Sequence, residues 1–176
     1  MNTLSSDAVI RSIRPDDDLA ALTRLIHSAY APHATAGLRY WGTHQTVEDT
    51  AERLASGETW LMLQNAEYIG TVTLRPVQPQ SPVLLYRQEG VFSLAQFCIS
   101  PAVKGLGYGH RLHQYVEDYA RGRGAKGIAL DTAKPAERLI ALYEHWGYRI
   151  VAECDWRPYT NYSSVVMYLT LSAVGY

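Results

Sequence analysis

The stretch that most restricts this chain is Phe97-Cys98-Ile99-Ser100-Pro101-Ala102-Val103-Lys104-Gly105-Leu106-Gly107-Tyr108-Gly109-His110, an alternating apolar run that passes through glycines into an amphipathic segment. A strand must turn directly into a helix here. Glycine lets the backbone take positive φ and approach a ligand closely, and a helix N-terminus offers unpaired N–H groups with partial positive charge. Such a turn suits a phosphate or pyrophosphate; it is equally the form of a tight connection with no ligand. A P-loop needs Gly-Lys and then Ser or Thr, whereas His110 and Arg111 follow Gly109. A dinucleotide fingerprint needs G-x-G-x-x-G with an acid about twenty residues on. Asp131 falls near that distance, but the glycines are spaced by single residues.

The flanking segments alternate between strand and helix periods. Residues 8–14 read as a short strand ended by Pro15, and Asp16 or Asp17 as the cap of a helix carrying Leu19, Leu22, Leu25 or Ile26, and Ala29 on one face. Residues 32–45 form a loop rich in glycine, histidine and aromatics. Residues 46–56 read as a second helix, with Thr46 and Asp49 as a capping box and Gly57 as its stop. Residues 59–63 and 68–74 are the arms of a hairpin, where Gly70 marks a bulge or a close backbone approach.

Residues 90–100 alternate, with Val91, Ser93, Ala95, Phe97 and Ile99 on one face and Phe92, Leu94, Gln96 and Cys98 on the other. Both faces are apolar enough for a central strand. Leu112, Val116, Tyr119 and Ala120 stripe the helix after the glycines, and residues 127–132 form a buried-type strand. A helix entered at Pro135 carries Leu139, Leu142, Tyr143 and Trp146 on one face, and residues 149–154 and 164–171 close the chain as strands. No linker or repeat divides the sequence, so one domain over residues 1–176 is expected.

Composition removes several functions. A chain of 176 residues buries a core without disulfides or metals, and two cysteines outside any CxxC pair argue against a secreted disulfide scaffold. A net charge of -1 argues against a nucleic-acid partner bound by a basic face. Residues 1–18 show no basic segment leading into an apolar core, and no apolar run reaches the roughly eighteen residues of a membrane span. A soluble cytoplasmic protein is the expectation, in which the acceptor-like Asn161-Tyr162-Ser163 would carry no glycan. The 13 tyrosines against 2 phenylalanines place many rings where a hydroxyl can meet water, a partner or a ligand.

Lys104-Gly105-Leu106-Gly107-Tyr108-Gly109 is similar to the R/Q-x-x-G-x-G/A signature of the GNAT superfamily of N-acetyltransferases. Leu142-Tyr143-Glu144-His145-Trp146-Gly147-Tyr148 resembles that family's L-Y-x-x-x-G-F/Y segment, at a matching spacing. The resemblance implies an α/β (α+β) fold, with a mixed, mostly antiparallel central sheet flanked by helices and a splayed, V-shaped cofactor slot. It implies acetyl-CoA as acyl donor and no metal. The backbone of Phe97, Cys98 and Ile99 would pair with the pantetheine arm and polarise the thioester carbonyl. The pyrophosphate would rest on the turn of Lys104, Gly105, Leu106, Gly107, Tyr108, Gly109 and His110. Lys104 departs from the family's usual Arg or Gln, keeping charge or polarity but losing the planar fork.

In the same resemblance Tyr143 is the general acid that protonates the departing thiolate; on spacing alone it is a core residue beside Leu139 and Trp146. Ala136 stands where many members carry Asn, and Gln96 near where many carry Glu or Asp. An amide accepts no proton at neutral pH, so Gln96 can only orient water or substrate. The base stays open among Glu89, Glu153, Asp155 and the loop histidines. Tyr30, Tyr40, Trp41, Gln96 and Trp156 are the expected acceptor contacts, with His33, His44, Tyr159 and Tyr162 nearby; a merely packed aromatic loop is the alternative. His110 and His113 read as a solvated helix face, and Cys98 as a small buried apolar group. The expected acceptor is a small-molecule primary amine. A peptide acceptor and a catalytically silent acyl-CoA-binding module are the alternatives, and homodimerisation stays open.

Overall fold

The computed structural model describes residues 7–172; the first six residues of the polar N-terminal segment lie outside them, as do residues 173–176. Strand β1 (Val9–Ser12) leads to helix α1 (Leu19–Thr35), which Asp18 caps by accepting the Ala21 N–H at 3.0 Å. Neither Asp16 nor Asp17 takes that position. Asp17 is drawn away by the Arg11 guanidinium, at 2.7 and 2.9 Å, and by the Tyr68 hydroxyl at 2.8 Å. Helix α1 also continues through Pro32 to Thr35, giving up only the N–H that proline lacks. The expected loop therefore starts four residues late.

Helix α2 (Val47–Leu54) opens on the capping box read from the sequence: the Asp49 N–H donates to Thr46 Oγ1 at 3.1 Å, and the Thr46 N–H to Asp49 Oδ2 at 2.9 Å. Strands β2 (Glu58–Gln64) and β3 (Glu67–Arg75) form the hairpin, turned by Asn65 and Ala66 at φ 51° and 62°. Gly70 meets both of its expectations. The β2–β3 register slips beside it, and an added Cβ would lie 2.6 Å from Ile99 Cδ1 and 3.2 Å from the Cys98 carbonyl oxygen.

Strand β4 (Val91–Ile99), helix α3 (Tyr108–Gly122), strand β5 (Gly127–Ala133), helix α4 (Glu137–His145) and strands β6 (Arg149–Asp155) and β7 (Ser163–Thr170) complete the order. Between β3 and β4 the chain makes a 3-10 turn at Leu84–Arg87. The seven strands form one sheet ordered β1-β2-β3-β4-β5-β7-β6, in which β4–β5 is the parallel pair and the other neighbours are antiparallel. Both faces are covered. Leu61 packs under Leu22 of α1 and Leu54 of α2, whereas Trp60 and Met62 share the larger core with Leu112, Val116 and Ala120 of α3.

Two features of β4 position the site. The first is a bulge. Thr71 pairs with Cys98 and Thr73 with Ala95, so Gln96 and Phe97 together oppose the single intervening residue of β3, and Gln96 takes a left-handed φ of 51°. The alternation shifts by one at that point. Val91, Ser93, Ala95, Gln96 and Cys98 are buried, while Phe97 and Ile99 join Phe92 and Leu94 on the face toward the larger core. The expected face assignment thus fails after Ala95. The second feature is a splay. β4 pairs with β5 only through Val91–Gly127, Phe92–Ile128 and Ser93–Ala129, although β4 runs on to Ile99 and β5 to Ala133.

Candidate active site

The widening gap between β4 and β5 leaves the edge of β4 beyond Ser93 without a strand partner on that side. At its far end the chain passes through a 3-10 turn, Pro101–Val103, into the glycine turn. Gly105 and Gly107 have φ of 81° and 83°, and a Cβ at either position would meet nothing within 4 Å. Both need glycine for their backbone conformation, and the space around them is free for a ligand to approach. Gly109, by contrast, is a residue of α3 with ordinary contacts to Ile99 and Trp146 at 3.6 and 3.8 Å. Lys104, Leu106 and His110 are exposed, and His110 stacks on Trp146. Tyr108 is half-buried and accepts the Gln64 Nε2 proton at 3.0 Å, tying the turn to β2.

His113 does not share the solvent with His110. It is 2% exposed, its Nε2 lies 2.8 Å from the Tyr148 hydroxyl, and burial pushes its pKa down to about 4. The α4 face is also narrower than expected, since Leu142 is 42% exposed while Tyr143 is 7% exposed.

The splay opens into a cavity of about 480 Å³ that brings Tyr143 together with Tyr30, Tyr40, Trp41, Gln96 and Trp156. Phe97 lines it too; Cys98 and Ile99 do not, and burial raises the Cys98 thiol to about 12. The Tyr143 hydroxyl has no hydrogen-bond partner among the described residues, and burial holds its pKa well above the usual phenol value. The Tyr30 hydroxyl donates to the Phe97 carbonyl at 3.2 Å, fixing the end of α1 to the bulged strand.

One wall is aromatic. Tyr40 meets Tyr162 at 5.0 Å between ring centroids, and Trp41 meets Tyr159 at 5.9 Å edge-on. These rings come from the segment after α1 and from the β6–β7 loop, which Asn161 ties together. Its Nδ2 donates to the Gly37 carbonyl and its Oδ1 accepts the Arg39 N–H, both at 2.8 Å.

The polar side of the cavity was not legible in the sequence. Asp131 of β5 lines it, accepting the Tyr86 hydroxyl at 2.6 Å and the Trp156 indole N–H at 2.8 Å. Burial raises its pKa against the pull of those two hydrogen bonds. None of the bases left open lines the cavity: Glu89 is exposed, Glu153 pairs with Lys134, Asp155 pairs with Arg157, and His33 and His44 stay outside the lining.

Arg53 of α2 and Arg75 of β3 also line it. Burial pulls Arg53 down to about 10, and lowers Arg75 as well. The Arg53 Nη1 donates to Gln45 Oε1 at 2.8 Å, and Gln45 Nε2 donates to Gln96 Oε1 at 2.6 Å and to Thr50 Oγ1 at 2.7 Å. A guanidinium only donates, so it fixes which end of Gln45 faces it, and thereby which end of Gln96 faces Gln45. Gln96, 3% exposed, is left with an Nε2 that donates to no atom among the described residues.

The model of the acetyltransferase (GNAT) family matches residues 19–148. The chain belongs to that family. Among relatives, the probable N-acetyltransferase 14 of Xenopus tropicalis is 29% identical over 102 residues, 57% of this GNAT chain and 45% of the relative. The matched stretch thus spans less than half of that relative's length. The ribosomal-protein-S18-alanine N-acetyltransferase of Escherichia coli superposes with a TM-score of 0.72 at 18% identity, covering 96% of this chain and 97% of that one. A GNAT family acetyltransferase from Elizabethkingia anophelis, solved with acetyl-CoA bound, superposes at 0.68 with 16% identity over 93% and 98% of the two chains. At these identities the likeness is one of fold. The GNAT match ends at Tyr148, so the β6–β7 loop that supplies Trp156, Tyr159 and Tyr162 lies beyond it.

Proposed function

We propose that this GNAT chain transfers an acetyl group from acetyl-CoA to a primary amine of a small molecule by direct attack, with Tyr143 as general acid. The observation that carries the reading is that Tyr143, whose hydroxyl has no hydrogen-bond partner among the described residues, lines the cavity into which the β4–β5 splay opens. The residues present fit the donor. The edge of β4 around Phe97, Cys98 and Ile99, which lacks a strand partner on the β5 side and carries the Tyr30 hydroxyl on the Phe97 carbonyl, suits an extended amide-bearing arm, and Gly105 and Gly107 leave open space beside the N-terminus of α3 for its pyrophosphate. When bound, acetyl-CoA supplies an activated acyl carbon.

The chain's own groups then handle the protons. Asp131, with its raised pKa, takes the proton that the ammonium form of an alkylamine must lose before it can attack. Tyr143 gives its proton to the sulfur as the carbon–sulfur bond breaks. A phenol held above its usual pKa stays protonated at neutral pH and is available for that transfer. The aromatic wall of Tyr40, Trp41, Tyr159 and Tyr162 offers a surface for the acceptor's apolar body. A cavity of about 480 Å³ suits a small molecule better than a peptide.

The test is release of free thiol from acetyl-CoA across a panel of amines and peptides. Tyr143→Phe should lower kcat tenfold to about a thousandfold with little change in CoA affinity. Wild-type turnover in that variant would remove Tyr143 from the mechanism, and tight CoA binding with no turnover on any acceptor would leave a silent acyl-CoA-binding module.

A further inference from the structure

Two half-buried arginines in one cavity are hard to explain as scaffold. Arg53 and Arg75 both line the cavity, and among the described residues no carboxylate oxygen lies within 4.0 Å of either guanidinium. The two other acids in the lining do not neutralise them. Asp49 is held by the Thr46 N–H in the cap of α2, and Glu52 is exposed. Asp131 attracts both guanidiniums without an ion pair to either, so two cations share one carboxylate, and a cavity with that surplus of positive charge suits an anion that arrives with a ligand.

Their hydrogen bonds hold them in place without using them up. Ser56 links the pair, its hydroxyl donating to the Arg53 carbonyl at 2.6 Å and accepting the Arg75 Nε proton at 2.7 Å. Among the described residues, both terminal nitrogens of Arg75, and the Nε and Nη2 of Arg53, therefore remain without a protein acceptor. Two planar forks with free N–H groups match a carboxylate, which accepts paired hydrogen bonds from a guanidinium. The unpartnered Gln96 Nε2, at the end of the chain of amides that starts on Arg53, is a further donor in the same lining. Asp131, the fixed negative group in the lining, is the complementary partner for an ammonium.

Taking acetyl transfer to an amine as the underlying reading, we infer that the acceptor is an amino acid: its carboxylate is held by Arg53 and Arg75, its amine lies at Asp131, and its apolar side chain lies against the wall of Tyr40, Trp41, Tyr159 and Tyr162. The arrangement selects against the same amine without its carboxylate, because the two half-buried guanidiniums would then share Asp131 alone.

The experiment pairs acids with their decarboxylated counterparts: L-phenylalanine against phenethylamine, and L-leucine against isoamylamine, each with saturating acetyl-CoA. The wild-type protein should favour the acid in kcat/KM by a hundredfold or more. Arg75→Met, which among the described residues breaks only the Ser56 contact, should raise KM for the acid by about ten- to a hundredfold and shrink the preference for the acid over the bare amine by a similar factor. Arg53→Met should act in the same direction. Equal or faster turnover of the bare amines, or an unchanged preference in Arg75→Met, would overturn the assignment while leaving acetyl transfer intact.

Binding of the product is read separately, by calorimetry with N-acetyl-L-phenylalanine on CoA-loaded protein. Saturable binding that Arg75→Met abolishes would uphold the carboxylate site even if no amine turned over, and acetyl transfer alone would then fall. No binding and no turnover would remove both.

Discussion

His113 is the clearest case of a side chain whose environment sets its proton. It sits between the rings of Phe97 and Trp146 with its Nε2 on the Tyr148 hydroxyl, while Glu117 lies 3.7 Å from Nδ1 and His110 adds repulsion from one turn away. Burial dominates and keeps the ring neutral down to about pH 4, against an ordinary value of 6.5. The unfolded chain therefore binds the proton first as the pH falls. Stability should drop between about pH 6.5 and 4 and then level off, by a total of up to about 3 kcal/mol from this residue. Urea unfolding of wild type and His113→Phe across that range checks it: the variant should lose most of the slope, while costing about 1–2 kcal/mol at pH 8 through the stranded Tyr148 hydroxyl. A variant as pH-sensitive as wild type would mean that other groups carry the titration.

The same scale shows what the sequence could and could not display. Tyr143 and the aromatic cluster were visible because each lies in or beside a local pattern. Arg53, Arg75 and Asp131 were not, because they sit on α2, β3 and β5 and meet only through the topology of the sheet. One signal was present: Asp131 interrupts the apolar run Ile128-Ala129-Leu130, where an acid with no structural duty is disfavoured.

Among elements, those defined by local chemistry were read closely. The α2 capping box and the β2–β3 turn depend on side chains a few residues apart, and both formed as the sequence indicated. The β4 bulge left no such mark. Both faces of that strand are apolar, so inserting a residue changes which side chains face which way without changing the hydropathy pattern.

The glycine turn is where an element's backbone can be tested directly. Gly107→Val places a β-branched residue at φ 83°, which should lower stability by about 1–3 kcal/mol while leaving the protein folded, since the Cβ meets nothing within 4 Å. It should also weaken acetyl-CoA binding at least tenfold, because the new side chain occupies the approach to the first turn of α3. Gly109→Ala, inside the helix, should do neither to a comparable degree. Calorimetric titration with acetyl-CoA beside thermal melts separates the two effects. Wild-type affinity in Gly107→Val would move the pyrophosphate elsewhere.

For the whole molecule the decisive property is that one sheet holds together from both ends while parting in the middle. β1, β2, β3 and β4 form one paired block and β5, β7 and β6 another, and three residue pairs near the start of β4 and β5 join them. The order of strands and helices made a mixed sheet legible, but hydropathy carries no record of where two parallel strands stop pairing. Backbone groups along the parted edge of β4 have no strand partner on the β5 side, whereas the opposite edge is bonded to β3. Hydrogen exchange should therefore be split within a single strand. Between Leu94 and Ile99, amides facing β3 should exchange slowly, and those facing β5 faster by an order of magnitude or more. Saturating acetyl-CoA should slow the second set if its arm pairs with that edge as an added strand would. Protection gained only at the glycine turn, with the β5-facing amides of β4 unchanged, would show that the arm takes another path. In that event the splay would serve the acceptor cavity alone.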